Sequence, residues 1–224
     1  YDLGGGTFDV TIMKLHGNRY VALATDGDVL LGGRDWDQRL VDFATEAFLR
    51  QFGMDPRGDP NTAGRLWREC EDAKHTLSQR TSTSISCDYM GSALRVDVTR
   101  EQFEDMTRDL LDRTAFTTRQ TLKEAGITWD EIGRVLLVGG SSRMPAVTAM
   151  LEEITGKSLD TSISADEAVA HGAAMHAGAL LDELEGREPR IVVENVNSHS
   201  LGVAGTDPNS GMARTAIVIP RNTS

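Results

Sequence analysis

The sequence predicts an α/β protein, and three observations predict it. Strand-like apolar runs end in glycine turns at Gly4-Gly5-Gly6-Thr7, Gly32-Gly33 and Gly139-Gly140-Ser141-Ser142. Stripes of apolar residues at helical spacing, such as Val147, Met150, Leu151 and Ile154, follow or separate them. A chain of 224 residues that is 39% hydrophobic can bury a sizeable core, in one or two domains.

The first turn precedes the alternation Phe8, Val10, Ile12, so it reads as the bend of a β-hairpin whose first strand lies upstream of Tyr1. Glycines let backbone N–H groups approach a phosphate without a Cβ in the way, and the Thr7 hydroxyl adds a donor. Asp2 and Asp9 flank the turn. Two carboxylates suit a hydrated cation between protein and phosphate better than bare phosphate, so a metal–nucleotide complex is implied; both also read as ordinary solvated turn residues.

Next come helical segments around 35–52 and 63–78. On the second, Glu71, Lys74 and Ser78 fall three and four positions apart, on one face. That face could grip a ribose, since a carboxylate accepts from sugar hydroxyls while Lys and Ser donate. Taken alone, Glu71 and Lys74 read as an ordinary surface ion pair. Alternation at 83–89 and 94–98 around Met90-Gly91-Ser92 predicts a hairpin, and Thr99 with Gln102 forms a capping box opening one long helix to Gly126.

Arg134 to Val138 is the kind of run buried in a parallel sheet. After it the third turn leads to a helix with Pro145 at its first position and Gly156 as its stop. Arg143 is a planar cation able to stack on a base or pair with phosphate, or an exposed loop arginine. Gly156-Lys157-Ser158 imitates the end of a P-loop, but Leu151 stands where the first glycine is required, so it reads as a helix cap and loop. Ser164 and Glu167 form a second capping box before a helix of small residues. His171 and His176 on it are structural, and the five histidines have no metal-ligand spacing.

A net charge of −11 and a pI near 4.9 exclude an extended nucleic-acid-binding face. Cys70 and Cys87 have neither zinc nor disulfide-framework spacing and read as reduced thiols. The stretch 165–181 carries Asp166, Glu167 and two histidines, so it is no membrane span.

Four runs resemble the 70-kilodalton heat-shock (DnaK-type) chaperones in order and spacing: Tyr-Asp-Leu-Gly-Gly-Gly-Thr-Phe-Asp-Val, Gly-Asp-Val-Leu-Leu-Gly-Gly-Arg-Asp-Trp-Asp, Val-Leu-Leu-Val-Gly-Gly-Ser-Ser-Arg-Met-Pro and Asp-Glu-Ala-Val-Ala-His-Gly-Ala-Ala. The match runs from Tyr1 to about Leu181. It implies the actin-like (ribonuclease H-like) ATPase fold, with residues 1–184 as the second of two lobes closing over ATP. A mobile α+β subdomain is inserted at about 32–110. An interdomain linker at 185–194 and the truncated first strands of a β-sandwich peptide-binding domain at 195–224 follow.

The resemblance also implies roles. Gly4, Gly5, Gly6 and Thr7 would hold the β- and γ-phosphates of ATP or ADP, and Asp2 and Asp9 would organise Mg2+ and a monovalent cation such as K+ indirectly. Asp2, Thr7 and Asp9 are then supporting catalytic residues, the catalytic lysine belonging to the first lobe. Gly33 matches the second glycine turn of the nucleotide site, and Glu71, Lys74 and Ser78 its helix face; Gly139, Gly140, Ser141 and Arg143 match the purine-side turn; Asp166 matches the adenosine end. His75 stands where relatives carry a longer side chain packing on adenine, so the base would stack between His75 and Arg143. Arg34 replaces a residue often acidic, Trp36 one often Phe. Around the linker Glu194, Asn195, Ser198 and His199 depart from the family pattern.

The expected function is that of an ATP-dependent chaperone, mainly monomeric and cytoplasmic, hydrolysing ATP to control binding and release of unfolded polypeptides. Its partners would be a J-domain co-chaperone and a nucleotide exchange factor, with no nucleic acid and no membrane. Without the first lobe this stretch by itself is expected not to turn over ATP efficiently. The alternatives are a degenerate nucleotide-binding paralogue, a small-molecule kinase and an actin-like filament protein. The last 30 or so residues are expected to expose unpaired edges.

Overall fold

The computed structural model describes residues 1–160, 164–165, 167–208 and 210–223. Its sheet begins with β1 (Asp2–Leu3), β2 (Phe8–His16) and β3 (Arg19–Asp28) as an antiparallel meander. Phe8, Val10 and Ile12 are buried while Asp9, Thr11 and Met13 face out, the period of a half-buried strand. The first strand of the hairpin, placed upstream of the chain by the sequence, is Asp2–Leu3: Leu3 pairs with Phe8 and Asp2 with Asp9.

α1 (Gly33–Phe52) starts on the second glycine turn, where the Asp35 carboxylate accepts from the Gly32 N–H at 2.8 Å. It stops at Gly53, in the left-handed conformation. α2 (Pro60–Gln79) is capped by Asp59, whose carboxylate accepts from the Thr62 N–H at 2.8 Å, with Pro60 at the first position. β4 (Ser82–Tyr89) and β5 (Ser92–Thr99) form the expected hairpin, and Met90 and Gly91 both take the positive φ that a two-residue hairpin turn requires.

The long helix expected after Thr99 is instead two. α3 (Arg100–Met106) opens on the Thr99–Gln102 capping box, and α4 (Arg108–Ala125) begins after a break at Thr107. There the buried Thr107 hydroxyl donates to the Phe103 carbonyl at 2.8 Å, a local bond that competes with continuation of the helix. α4 lies on β2 and β3, while α1, α2, β4 and β5 pack together, and one apolar core runs through both parts from Leu3 and Phe8 to Phe48, Leu66 and Ile85. Cys70 and Cys87 are buried free thiols within it; burial pushes the Cys70 thiol up to about 12.

Residues 134–138 are not the buried strand expected. They make two isolated parallel bridges, Asp2 with Val138 and Leu136 with Asp160, and Leu136 stays 40% exposed. The run is only partly covered: Leu137 packs against the core, while Arg134 and Leu136 stay exposed. α5 (Pro145–Thr155) follows as predicted, from Pro145 to Gly156 in the left-handed conformation. α6 (Ala168–Leu184) starts at Ala168 and its N-cap Glu167 makes no side-chain cap bond, so the expected Ser164–Glu167 box is not formed; the Ser164 carbonyl accepts from the Glu167 and Ala168 N–H groups instead. Its small residues pack little, Ala179 being the one buried residue described on the helix.

Strand β6 (Val192–Glu194) adds to the sheet in parallel beside Arg19 to Val21 of β3. β7 (Leu201–Thr206) and β8 (Ala213–Ile219) form a hairpin exposed along its whole length. The expectation of unpaired edges is half met. Among the described residues the hairpin has no third strand, but its base is held to β3 and α4 through Asn222, which accepts from the Thr25 N–H at 3.0 Å and donates to Glu124 at 2.9 Å, and through Arg221, which pairs with Asp26 and Glu124. No helix among the described residues is long and apolar enough to cross a membrane.

Candidate functional site

Three stretches far apart in sequence meet at one end of the sheet. The first turn closes on itself, Gly4 N–H to the Thr7 carbonyl at 2.9 Å, and its carbonyls receive the start of α1: Gly33 N–H donates to Gly4 and Arg34 N–H to Gly5, both at 2.9 Å. The third turn docks on the other side, where Leu3 N–H donates to Val138 at 3.0 Å and Val138 N–H to Tyr1 at 2.9 Å. The three glycine turns therefore meet in a backbone junction.

Glycine is required there by space. A Cβ on Gly32 would lie 2.4 Å from the Gly6 nitrogen, and one on Gly139, whose φ is 83°, 2.4 Å from the Leu3 carbonyl oxygen. Gly5 and Gly6 are the reverse: exposed, with nothing within 4 Å of where a Cβ would be. That open backbone, beside the exposed Thr7, is where a ligand could approach. The third turn continues as a 3-10 turn over Gly140–Arg143; Ser141 and Ser142 are buried, the Ser142 hydroxyl donates to the Gly139 carbonyl at 2.7 Å, and Arg143 is exposed.

Asp2 and Asp9 face each other across the β1–β2 ladder. Like charges placed directly opposite repel. Burial and then the Asp9 charge raise the Asp2 carboxyl above its ordinary range. Among the described residues no group of three His, Cys, Asp or Glu comes together as a metal cage. Two hard oxygen ligands, one half-buried and one exposed, fit a cation that keeps most of its water, as Mg2+ does.

The α2 face is rearranged relative to the sequence reading. Glu71 and His75 are exposed and Ser78 half-buried, its hydroxyl donating to the Lys74 carbonyl at 3.2 Å. Lys74 is 6% exposed, and its ion pair is with Asp37 of α1 rather than with Glu71: Nζ lies 2.8 and 2.9 Å from the two carboxylate oxygens and donates to the Gly33 carbonyl at 3.1 Å. The surface pair fails because position 74 faces α1. Burial raises the Asp37 carboxyl, against the pull of Lys74. Sequence reasoning missed Asp37; its place one helical turn after Gly33 was the available signal.

The glycine turns, Lys74 and Ser141 are thus brought together, while the side chains of Glu71, His75 and Arg143 are exposed. Asp166 lies outside the described residues, although the Ala165 carbonyl before it accepts from Gly139 N–H at 3.1 Å. A cavity of about 480 Å3 is lined by Trp36, Ser78, Phe103, Met144 and Val147 among others, and none of the turn glycines lines it. Arg34 stacks its guanidinium over Trp67 at 5.3 Å.

The Hsp70 protein family model matches residues 1–224. The chaperone protein DnaK of Halobacterium salinarum is 41% identical, over 91% of this chain and 33% of its own length. The chaperone protein DnaK of Metamycoplasma hominis is 37% identical, over 100% of this chain and 37% of its own. The chain spans about a third of the length of these curated relatives.

Proposed function

Because this chain belongs to the Hsp70 family, we propose that it forms one wall of an ATP site in a chaperone ATPase of the DnaK type, the facing wall coming from another lobe of the complete protein. The observation that carries this reading is the backbone junction of the three glycine turns, with open glycine backbone on its outer side.

In this reading Gly4 to Thr7 cradle the terminal phosphates and the Thr7 hydroxyl donates to one of their oxygens. Asp2 and Asp9 would hold Mg2+ through its water shell, and the ion would neutralise phosphate charge during hydrolysis of the terminal P–O bond. Asp9, exposed beside the turn, accepts from and orients a water. The turn Gly139–Ser141 with Arg143, and the α2 residues Glu71, Lys74, His75 and Ser78, take the nucleoside, with Asp166 at its adenosine end. ATP binding and hydrolysis would shift the complete protein between two states of different affinity for unfolded polypeptide.

The region 185–194 is the proposed route between the two sites, since β6 docks at the end of β3 opposite the glycine turns. The inserted part, about 32–110, would be the element an exchange factor moves. A J-domain protein would be the partner that accelerates hydrolysis.

The test is ATP turnover by the full-length product, with and without an unfolded peptide and a J-domain protein. Stimulation by both is expected. Turnover indifferent to both would replace the chaperone by a degenerate nucleotide-binding paralogue, and phosphorylation of an added sugar or nucleotide-dependent sedimentation would replace it by a kinase or a filament protein.

A further inference from the structure

We propose that Asp37 is a positioning residue for nucleotide binding: it leaves the ligand untouched and fixes the Lys74 ammonium at the junction of the three glycine turns. This rests on the nucleotide-site reading above and adds to it a residue to which that reading gives no role, the last of the run Gly27–Asp37.

Asp37 and Lys74 are 2% and 6% exposed, so the pair is withdrawn from water. A lysine has three donors on a flexible stem. Here two are committed, one to Asp37 at 2.9 Å and one to the Gly33 carbonyl at 3.1 Å, and the second carboxylate oxygen, 2.8 Å away, adds its charge. Fixing two N–H groups fixes the direction of the third. The point where a Gly33 Cβ would lie is 3.2 Å from Lys74 Nζ and 2.2 Å from Ser141 Oγ, so the ammonium, the second turn and the third turn share one small volume. Gly33 N–H in turn holds the first turn through Gly4.

Stability alone does not call for charges in this place. A buried ion pair is often matched or bettered by apolar residues of similar size, whereas removing one partner leaves a buried unpaired charge. Asp37 sits one turn of α1 beyond Gly33, where its carboxylate reaches the ammonium that the Gly33 carbonyl also holds.

The experiment uses the full-length protein and two readouts, ADP affinity by calorimetry and the melting temperature without nucleotide, together with KM and kcat for ATP. Asp37→Asn should weaken ADP binding about tenfold and raise KM similarly while kcat stays within about twofold, the loss expected when one charge-assisted clamp is removed. The double variant Asp37→Leu with Lys74→Met should regain the parent's melting temperature to within a few degrees, yet leave ADP about tenfold weaker. Recovery of affinity along with stability in the double variant would overturn the proposal and make the pair a brace only. ADP affinity unchanged in Asp37→Asn would do the same. Absence of ADP binding by the parent protein is a different result: it would remove the nucleotide-site reading itself.

Discussion

The two ends of this chain are held in opposite ways. At the N-terminal end, residues 1–7 are tied to 33–34 and 138 by backbone hydrogen bonds, over a core that includes Leu3, Phe8, Leu31 and Trp36. At the C-terminal end, β7 and β8 bury no residue, and their base is fastened by Arg221 and Asn222 to Asp26 and Glu124, together with the three-residue strand β6. The first junction is sterically exclusive and apolar beneath. The second is polar, half-exposed and small. Close packing resists displacement because atoms cannot overlap, while exposed charge contacts are weak and screened by salt. The comparison teaches where movement is cheap: the glycine junction is built to stay fixed while the C-terminal segment can leave its dock.

The largest expected effect breaks the fixed end. Gly32→Ala puts a Cβ against the Gly6 backbone, and the turns must part. The expected loss is about 2–3 kcal/mol, typical of overpacking against a site that cannot yield, read from denaturant unfolding. A loss near zero would show that the first turn yields, and the contrast between the ends would go with it.

The next effect sharpens the loose end. Glu124→Lys removes the shared partner of Arg221 and Asn222 and adds a like charge. It should cost about 1 kcal/mol. Amide exchange in residues 192–223 should speed up while the glycine turns keep their protection. High salt should imitate the change, and adding Arg221→Glu should reverse part of it. Uniform loss of protection throughout the chain would mean that the two ends unfold as one unit.

The smallest effect concerns a cap between them. Asp59 accepts from both the Thr62 hydroxyl and N–H, which holds its carboxyl below the ordinary 3.8. The folded-state value is the lower one, so this contribution is present above the unfolded value and fades as pH falls through the folded one. Asp59→Asn still caps but does not titrate. Its melting temperature should match the parent's at pH 7 and fall less steeply below about pH 4. Parallel curves down to pH 2.5 would remove Asp59 from the acid response.

Much of the fold was legible because its signals are local. Pro145 and Gly156 bound α5, Thr99 with Gln102 opens α3, and Met90-Gly91 turns the β4–β5 hairpin, each through bonds within a few residues. The glycine turns were legible for the same reason, and their motifs carried the family. Where the reading went astray, a distant neighbour or its absence decided. Residues 134–138 have strand composition but few partners, Thr107 breaks a helix whose apolar pattern continues past it, and the small residues of α6 meet almost nothing.

The sequence by itself determined most of the element types and caps, and the three turns whose motifs carried the family, since each rests on backbone preference or short-range hydrogen bonding. Only the tertiary structure decided that Lys74 turns inward to Asp37, that Gly32 must yield space to Gly6, and that β6 lies beside β3. Those pairings join residues 26 to 173 positions apart. Nothing in the local chemistry of either partner names the other; packing and the burial of charge select it.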